Sequence, residues 1–230
     1  MAPTAAEPRA AGTFGSGARE PYDRALRDPA RALFLREAGA EPSADVVRLE
    51  IERFLAGADA SDVAVVEDAT GPVLDIGCGP GRMVHAAIMA GHMTLGIDIS
   101  PTAVRLAQEH GLPVLCRSIF QGLPAEGDWG TVLLIDGNIG IGGDPRALLA
   151  RCAELVRNVG GRIFVEAHRE TARDRVFDGV VVDDLDRESL PFPWAEVGAA
   201  ALRRYARLAG LRPLRTWMSA GRPFMELGRA

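Results

Sequence analysis

Val73-Leu74-Asp75-Ile76-Gly77-Cys78-Gly79-Pro80-Gly81-Arg82 runs a short apolar strand straight into a turn with glycine at every second position, and an apolar stretch with helical spacing follows. Such a junction reads as a nucleotide-type cofactor loop. Glycine has no Cβ, so Gly77, Gly79 and Gly81 can take positive φ and let main-chain N–H groups approach a ligand that a side chain would block. Spacing narrows the ligand. A dinucleotide fingerprint puts its third glycine three positions after the second, for close strand–helix packing, and here that position is Arg82. The glycines instead follow Asp75, a carboxylate that repels a pyrophosphate and attracts a cation. Downstream, Thr94-Leu95-Gly96-Ile97-Asp98-Ile99-Ser100 reads as a second strand ending in an acid, placed to accept hydrogen bonds from two ribose hydroxyls.

On these residues the chain resembles the class I S-adenosylmethionine-dependent methyltransferases of small-molecule type. Their first motif looks like Asp75 to Gly81 and their second like Gly96-Ile97-Asp98. The resemblance covers about Gly71 to the C-terminus. It implies S-adenosyl-L-methionine as cofactor, with Asp75 and the backbone of the Gly77-Cys78-Gly79 loop, closed by Gly81, holding the methionine part. It further implies that Asp98 binds the ribose and that Ile99 packs on adenine. A sulfonium-bearing amino acid is positively charged near its ammonium and sulfur, which agrees with the acidic loop. The family often has an acid near the adenine amino group; here the stretch is Cys116-Arg117-Ser118-Ile119-Phe120, so Ser118 is a weaker substitute and Ile119 supplies apolar packing.

The 230 residues, 47% hydrophobic and 25% charged, suit one α/β domain plus a small addition. A net charge of -5 offers no general attraction to nucleic acid or an anionic membrane. Cys78, Cys116 and Cys152 are far apart and odd in number, as expected for free thiols in a reducing compartment, and no metal-ligand spacing is present. No run has the length of a membrane span or the apolar core of a signal peptide. The expectation is a cytoplasmic protein with a small-molecule acceptor and neither nucleic acid nor membrane as partner, homodimerisation being left open.

Residues 1–21, rich in Ala, Pro, Gly and Arg, are expected to be a disordered N-terminus, and residues 22–70 a helical cap with helices over Tyr22 to Gly39, Ala44 to Ala56 (opened by Ser43) and Asp62 to Asp68. Residues 71–230 are expected to form the S-adenosylmethionine-binding catalytic domain. Its strands are placed at Val73–Ile76, Thr94–Ile97, Val114–Cys116, Thr131–Asp136 and Arg162–Ala167, with helices between them. Apolar runs without alternation mark strands buried on both faces. Five βα repeats call for a doubly wound, mostly parallel sheet. A helix over Trp194 to Ala209 and two extended runs, Arg212–Met218 and Pro223–Gly228, then close a seven-stranded, Rossmann-like methyltransferase sheet with an antiparallel hairpin.

Ligands of open α/β sheets bind beyond the carboxyl ends of the strands. The glycine-rich loop Asp136 to Asp144 stands there, and Asp136 and Asn138 are read as lining the transfer site, Asp136 also toward the cofactor and either one as a candidate for proton handling. The competing reading is an Asx-type turn bonding local backbone. His168, just after the fifth strand, is the candidate general base. Amino-methylating relatives that act on nucleic acid carry Asn or Asp, two prolines and an aromatic here; this chain does not. The insertion 169–194 and the N-terminal segment are expected to cover the cleft, with Leu190-Pro191-Phe192-Pro193-Trp194 giving stiff apolar surface and Tyr22 and Phe34 as further candidates. The function expected is in-line methyl transfer to oxygen, nitrogen or carbon of a small molecule. Two other readings stay open: a protein that holds the same cofactor without methyl transfer, as scaffold or as catalyst of a rearrangement or cyclisation, and, more remotely, a nicotinamide-dependent reductase.

Overall fold

A computed structural model describes residues 12, 14, 21–40 and 46–230; the rest of the stretch read as a disordered N-terminus, and the start of the helix opened by Ser43, lie outside the described residues. The domain is organised around strand β3 (Val73–Ile76), which is buried at every position. It pairs in parallel with β4 (Thr94–Asp98) on one side and β6 (Thr131–Leu134) on the other. Strand β5 (Val114–Cys116) extends the sheet beyond β4, and β7 (Arg162–Glu166) beyond β6. Two long strands, β10 (Leu211–Ser219) and β11 (Arg222–Arg229), form the closing antiparallel hairpin, with β11 antiparallel to β7. The resulting order is β10-β11-β7-β6-β3-β4-β5, the expected seven-stranded, mostly parallel sheet.

Strand alternation sorts the core into two layers. Leu133, Ile135, Phe164 and Phe224 face α3 (Ala60–Glu67) and α4 (Arg82–Met89), packing on Val65, Val66 and Met83. Val132, Leu134, Ile163 and Val165 face the opposite way, toward α6 (Pro145–Leu155) and α7 (Ala199–Leu208). Local chemistry fixes the helix starts. Asp59 and Asp62 make a reciprocal capping box at α3. At α5 (Pro101–Glu109) the Ser100 hydroxyl accepts from the Ala103 N–H at 3.2 Å, with proline in the first turn.

The N-terminal region differs from the expected helical cap. Helix α1 (Pro21–Arg27) stops before Pro29, which cannot continue a helix. The chain then turns into strand β1 (Leu33–Glu37) and a short β2 (Val47–Arg48), and α2 covers only Ile51–Leu55. The insertion supplies β8 (Asp174–Asp183) and β9 (Phe192–Val197). Trp194 therefore lies in a strand, and the helix begins after Gly198. These four strands form a second, fully antiparallel sheet of order β2-β1-β8-β9. Leu33 and Leu35 of β1 pack with Leu26, Phe177, Val181 and Phe192 in a core of their own. The spacing that resembles a helix is a strand whose apolar partners lie about 145 residues away, at Val180 to Val182.

Candidate active site

Between the carboxyl ends of β3, β4 and β6 and the second sheet lies a cavity of about 210 Å³. The glycine loop forms its floor. Gly77 and Gly79 have φ of +67° and +54°, and a Cβ on Gly77 would sit 2.8 Å from the Asn138 amide nitrogen. Gly81, at φ +96°, caps α4 and needs to be glycine because a Cβ would come within 2.5 Å of Leu112. It does not line the cavity, so it shapes the loop from behind. Cys78 lines the cavity as a buried thiol, its pKa pushed up by burial and then by Asp98 and Asp75.

Asp98 is held at both oxygens: Oδ2 accepts from the Gly79 N–H at 2.8 Å and Oδ1 from the Ser100 N–H at 2.7 Å. It thus ties the glycine loop to the start of α5 while keeping further lone pairs for a ligand. Burial raises its pKa and the backbone donors oppose the rise. Asp75 is 2% exposed, and its Oδ2 has no hydrogen-bond partner among the described residues. Burial, followed by the charges of Asp136 and Asp98, pushes its carboxyl well above the ordinary range. An unpaired buried carboxylate is costly. A cation in the same cavity removes that cost, so the donor set fits a cationic amino-acid and nucleoside ligand. Ile99, Ser118 and Ile119 line the same cavity. Ser118 turns its hydroxyl to the Phe120 N–H at 3.3 Å.

Asp136 also lines the cavity, with φ of +56°, a conformation unusual for a residue with a side chain. The Glu166 carboxylate accepts its N–H at 2.8 Å. Its own carboxylate takes guanidinium hydrogens from Arg53 and Arg82, with Arg222 at 3.5 Å. Asp62, 0% exposed, binds the same three arginines: Arg53 at 3.1 Å, Arg222 at 2.9 Å, and Arg82. Sequence reasoning missed this network. Its members come from α2, α3, α4, β11 and the loop after β6, and Arg82 stood out only as the absence of a third glycine. With its oxygens already occupied, Asp136 is a positioned charge and a poor candidate for accepting a proton. Asn138 donates its amide to the Ile76 and Gly77 carbonyls at 2.8 and 3.0 Å, stitching the loop after β6 to the glycine loop.

His168 is not among the residues lining the cavity. Beyond β7 its backbone bridges toward Gly198, and its Nδ1 accepts the Glu170 N–H at 3.1 Å, so it closes a local turn. Phe34 is likewise outside, because alternation along β1 turns Leu33 and Leu35 inward and leaves it on the other face. Tyr22, Phe192, Pro193 and Trp194 do line the cavity.

A doubly wound sheet with an acid-led glycine loop and a second acid at the end of the next strand defines a class I methyltransferase fold. Residues 73–160 match the family model described as a methyltransferase domain. A solved S-adenosylmethionine-dependent methyltransferase from Bacteroides fragilis, in complex with S-adenosyl-L-homocysteine, superposes with a TM-score of 0.75 over 95% of this chain and 98% of that one, at 18% identity. A Burkholderia thailandensis 1,6-didemethyltoxoflavin-N1-methyltransferase gives a TM-score of 0.54 over 74% and 77% of the two chains, at 19% identity. Among curated relatives, ubiquinone biosynthesis O-methyltransferases are 28% identical over 112 residues (Bordetella avium; 46% of each chain) and 26% identical over 152 residues (Bordetella bronchiseptica; 61% of this chain, 62% of that one). The chain spans about half to three fifths of the length of these relatives. No helix among the described residues is long and apolar enough to cross a membrane.

Proposed function

We propose that the chain catalyses methyl transfer from S-adenosyl-L-methionine to a small organic acceptor. The observation that carries this reading is the buried, unpartnered oxygen of Asp75 in a cavity that also holds Asp98 and the positive-φ glycines and is roofed by apolar residues of a second sheet. When bound, the cofactor supplies a methyl group on a sulfonium whose leaving group departs as a neutral thioether. Asp75 balances the cationic end, Asp98 accepts ribose hydroxyls with its free lone pairs, and Ile99, Ser118 and Ile119 flank the base. Asp136 and Asn138 line the transfer site: Asp136 as a charge fixed by arginines, Asn138 by holding the loop after β6 on the glycine loop. The second sheet roofs the cavity. Alignment of acceptor and methyl there can supply roughly 7–11 kcal/mol of the barrier, so few reacting side chains are required. Small-molecule methyltransferases among the structural and curated relatives support the reading.

The test is thermal unfolding with S-adenosylmethionine, S-adenosylhomocysteine or NAD, followed by assay of S-adenosylhomocysteine formation with an acceptor panel. Stabilisation by the two sulfur compounds and acceptor-dependent turnover are expected. Stabilisation by NAD alone would overturn the cofactor assignment, and tight binding with no acceptor consumed would favour a cofactor-holding protein without methyl transfer.

A further inference from the structure

Resting on the reading above, we propose that the outer part of the cavity is a subsite for a flat, uncharged hydroxyarene, whose oxygen is held for methylation by the Tyr22 hydroxyl. The compartment is built from outside the Rossmann-like frame. Phe192 and Trp194, on one face of β9, stand edge to face with centroids 6.0 Å apart. Tyr22 enters from α1, and Phe14 touches all three rings, at 4.9 Å from Tyr22, 5.4 Å from Phe192 and 5.7 Å from Trp194. Offset and edge contacts between rings are those that a further ring would extend. The indole is locked in place: a Cβ on Gly140 would fall 2.7 Å from Trp194 Cε2 and 2.2 Å from the Ala195 carbonyl, so the loop after β6 lies flat against it.

Three observations select the occupant. First, among the described residues no histidine, lysine or glutamate lines the cavity, and the carboxylates that do belong to the glycine-loop side or are taken by arginines. A protein base is therefore missing, and the acceptor must ionise readily on its own, as a phenol does and an alcohol does not. Second, the Tyr22 hydroxyl has no hydrogen-bond partner among the described residues, and it lies 3.5 Å from where a Cβ on Gly79 would be. A free donor thus stands at the junction of the aromatic compartment and the cofactor loop. Burial, together with the nearby acids, holds this phenol protonated; it donates, and donation to the charged form of the acceptor favours that form. Third, a protonated amine, which aromatic rings would also attract, has no free electron pair for the reaction. In the transfer, the phenolic proton passes to water, an oxygen–carbon bond forms, and the sulfur–carbon bond breaks with its electron pair remaining on sulfur.

The experiment uses the full chain saturated with S-adenosylhomocysteine and measures binding of 2-naphthol, decahydro-2-naphthol and choline by calorimetry. It also follows the titration of bound 2-naphthol by its naphtholate absorbance. Tighter binding of 2-naphthol than of its saturated analogue, by roughly tenfold, is expected, with choline not binding. Trp194→Leu should remove that preference. Tyr22→Phe should leave the preference for 2-naphthol over its saturated analogue intact while moving naphtholate formation to higher pH. Equal affinity for decahydro-2-naphthol, binding of choline, no detectable 2-naphthol binding, or an unchanged titration in Tyr22→Phe would each overturn the proposal. Thermal stabilisation by S-adenosylhomocysteine, read on the same samples, reports separately on the cofactor assignment. Its loss with 2-naphthol binding retained would sink the methyl-transfer reading and leave the aromatic subsite standing.

Discussion

Replacing Asp75 by asparagine separates the stability of the empty cavity from its affinity for a cation. The side chain keeps its shape and loses its charge. Because burial and the neighbouring acids hold the folded carboxyl well above its ordinary value, the ligand-free native state prefers this group neutral. Its contribution is full below the unfolded carboxylate pKa of about 3.9 and is lost as pH rises through the folded pKa, at about 1.4 kcal/mol per unit of elevation. Asp75→Asn should therefore make the ligand-free protein equally stable or more stable at pH 8 and flatten its pH dependence. Cofactor binding should respond in the opposite sense. A charge-assisted contact contributes about 1.5–3 kcal/mol, which corresponds to roughly 10–150-fold in Kd. With ligand at about 100 times the wild-type Kd, stabilisation near 2.7 kcal/mol would fall to about 0.9 kcal/mol for a thirtyfold weakening. In a chain of this size that reduces the ligand-induced Tm shift from about 8 °C to about 3 °C. The assay is thermal unfolding from pH 5 to 9 with and without S-adenosylhomocysteine. A variant that keeps the full ligand shift, or that is less stable than wild type at pH 8 without ligand, would refute the reasoning.

Asn138→Ala removes two donors that tie the loop after β6 to the Ile76 and Gly77 carbonyls; a loss of about 1–2 kcal/mol in S-adenosylhomocysteine binding is expected by calorimetry, and unchanged affinity would reject the stitching role. Gly96→Ala drives a methyl to 2.7 Å from both Cys78 Sγ and Val84 Cγ2, so overpacking of about 1–3 kcal/mol should appear in denaturant unfolding together with weaker cofactor binding through the displaced glycine loop. His168→Ala should leave turnover within about twofold, as for a side chain away from the site, and a collapse of activity across the pH range would restore the histidine as a base.

Legibility in the sequence followed the range of the interactions involved. The cofactor loop was readable because a ligand held by backbone demands glycine at fixed local spacing, and Asp75 and Asp98 sit at the ends of strands whose apolar runs reflect burial on both faces. Ser100-Pro101 announced α5 for the same local reason: cap and first turn are neighbours in the chain. The second sheet was not readable, since Leu33 and Leu35 acquire their inward facing from β8 and, in isolation, their spacing after Leu26 satisfies a helix equally well. The arginine network is invisible for a related reason. Asp62 and Asp136 meet Arg53, Arg82 and Arg222 only after five separate segments converge, and nothing at any one of them marks the others. The two halves of the cavity therefore answer to different constraints. The floor is specified by some thirty consecutive residues, from β3 to the start of α5, whose glycines and acids are neighbours in the chain, whereas the aromatic roof depends on pairing between β1, β8 and β9. On the proposed function, a substitution at Tyr22, Phe192 or Trp194 alters the aromatic compartment without removing a hydrogen bond of the glycine loop, which is why the floor of the cavity is far easier to read from this chain than its roof.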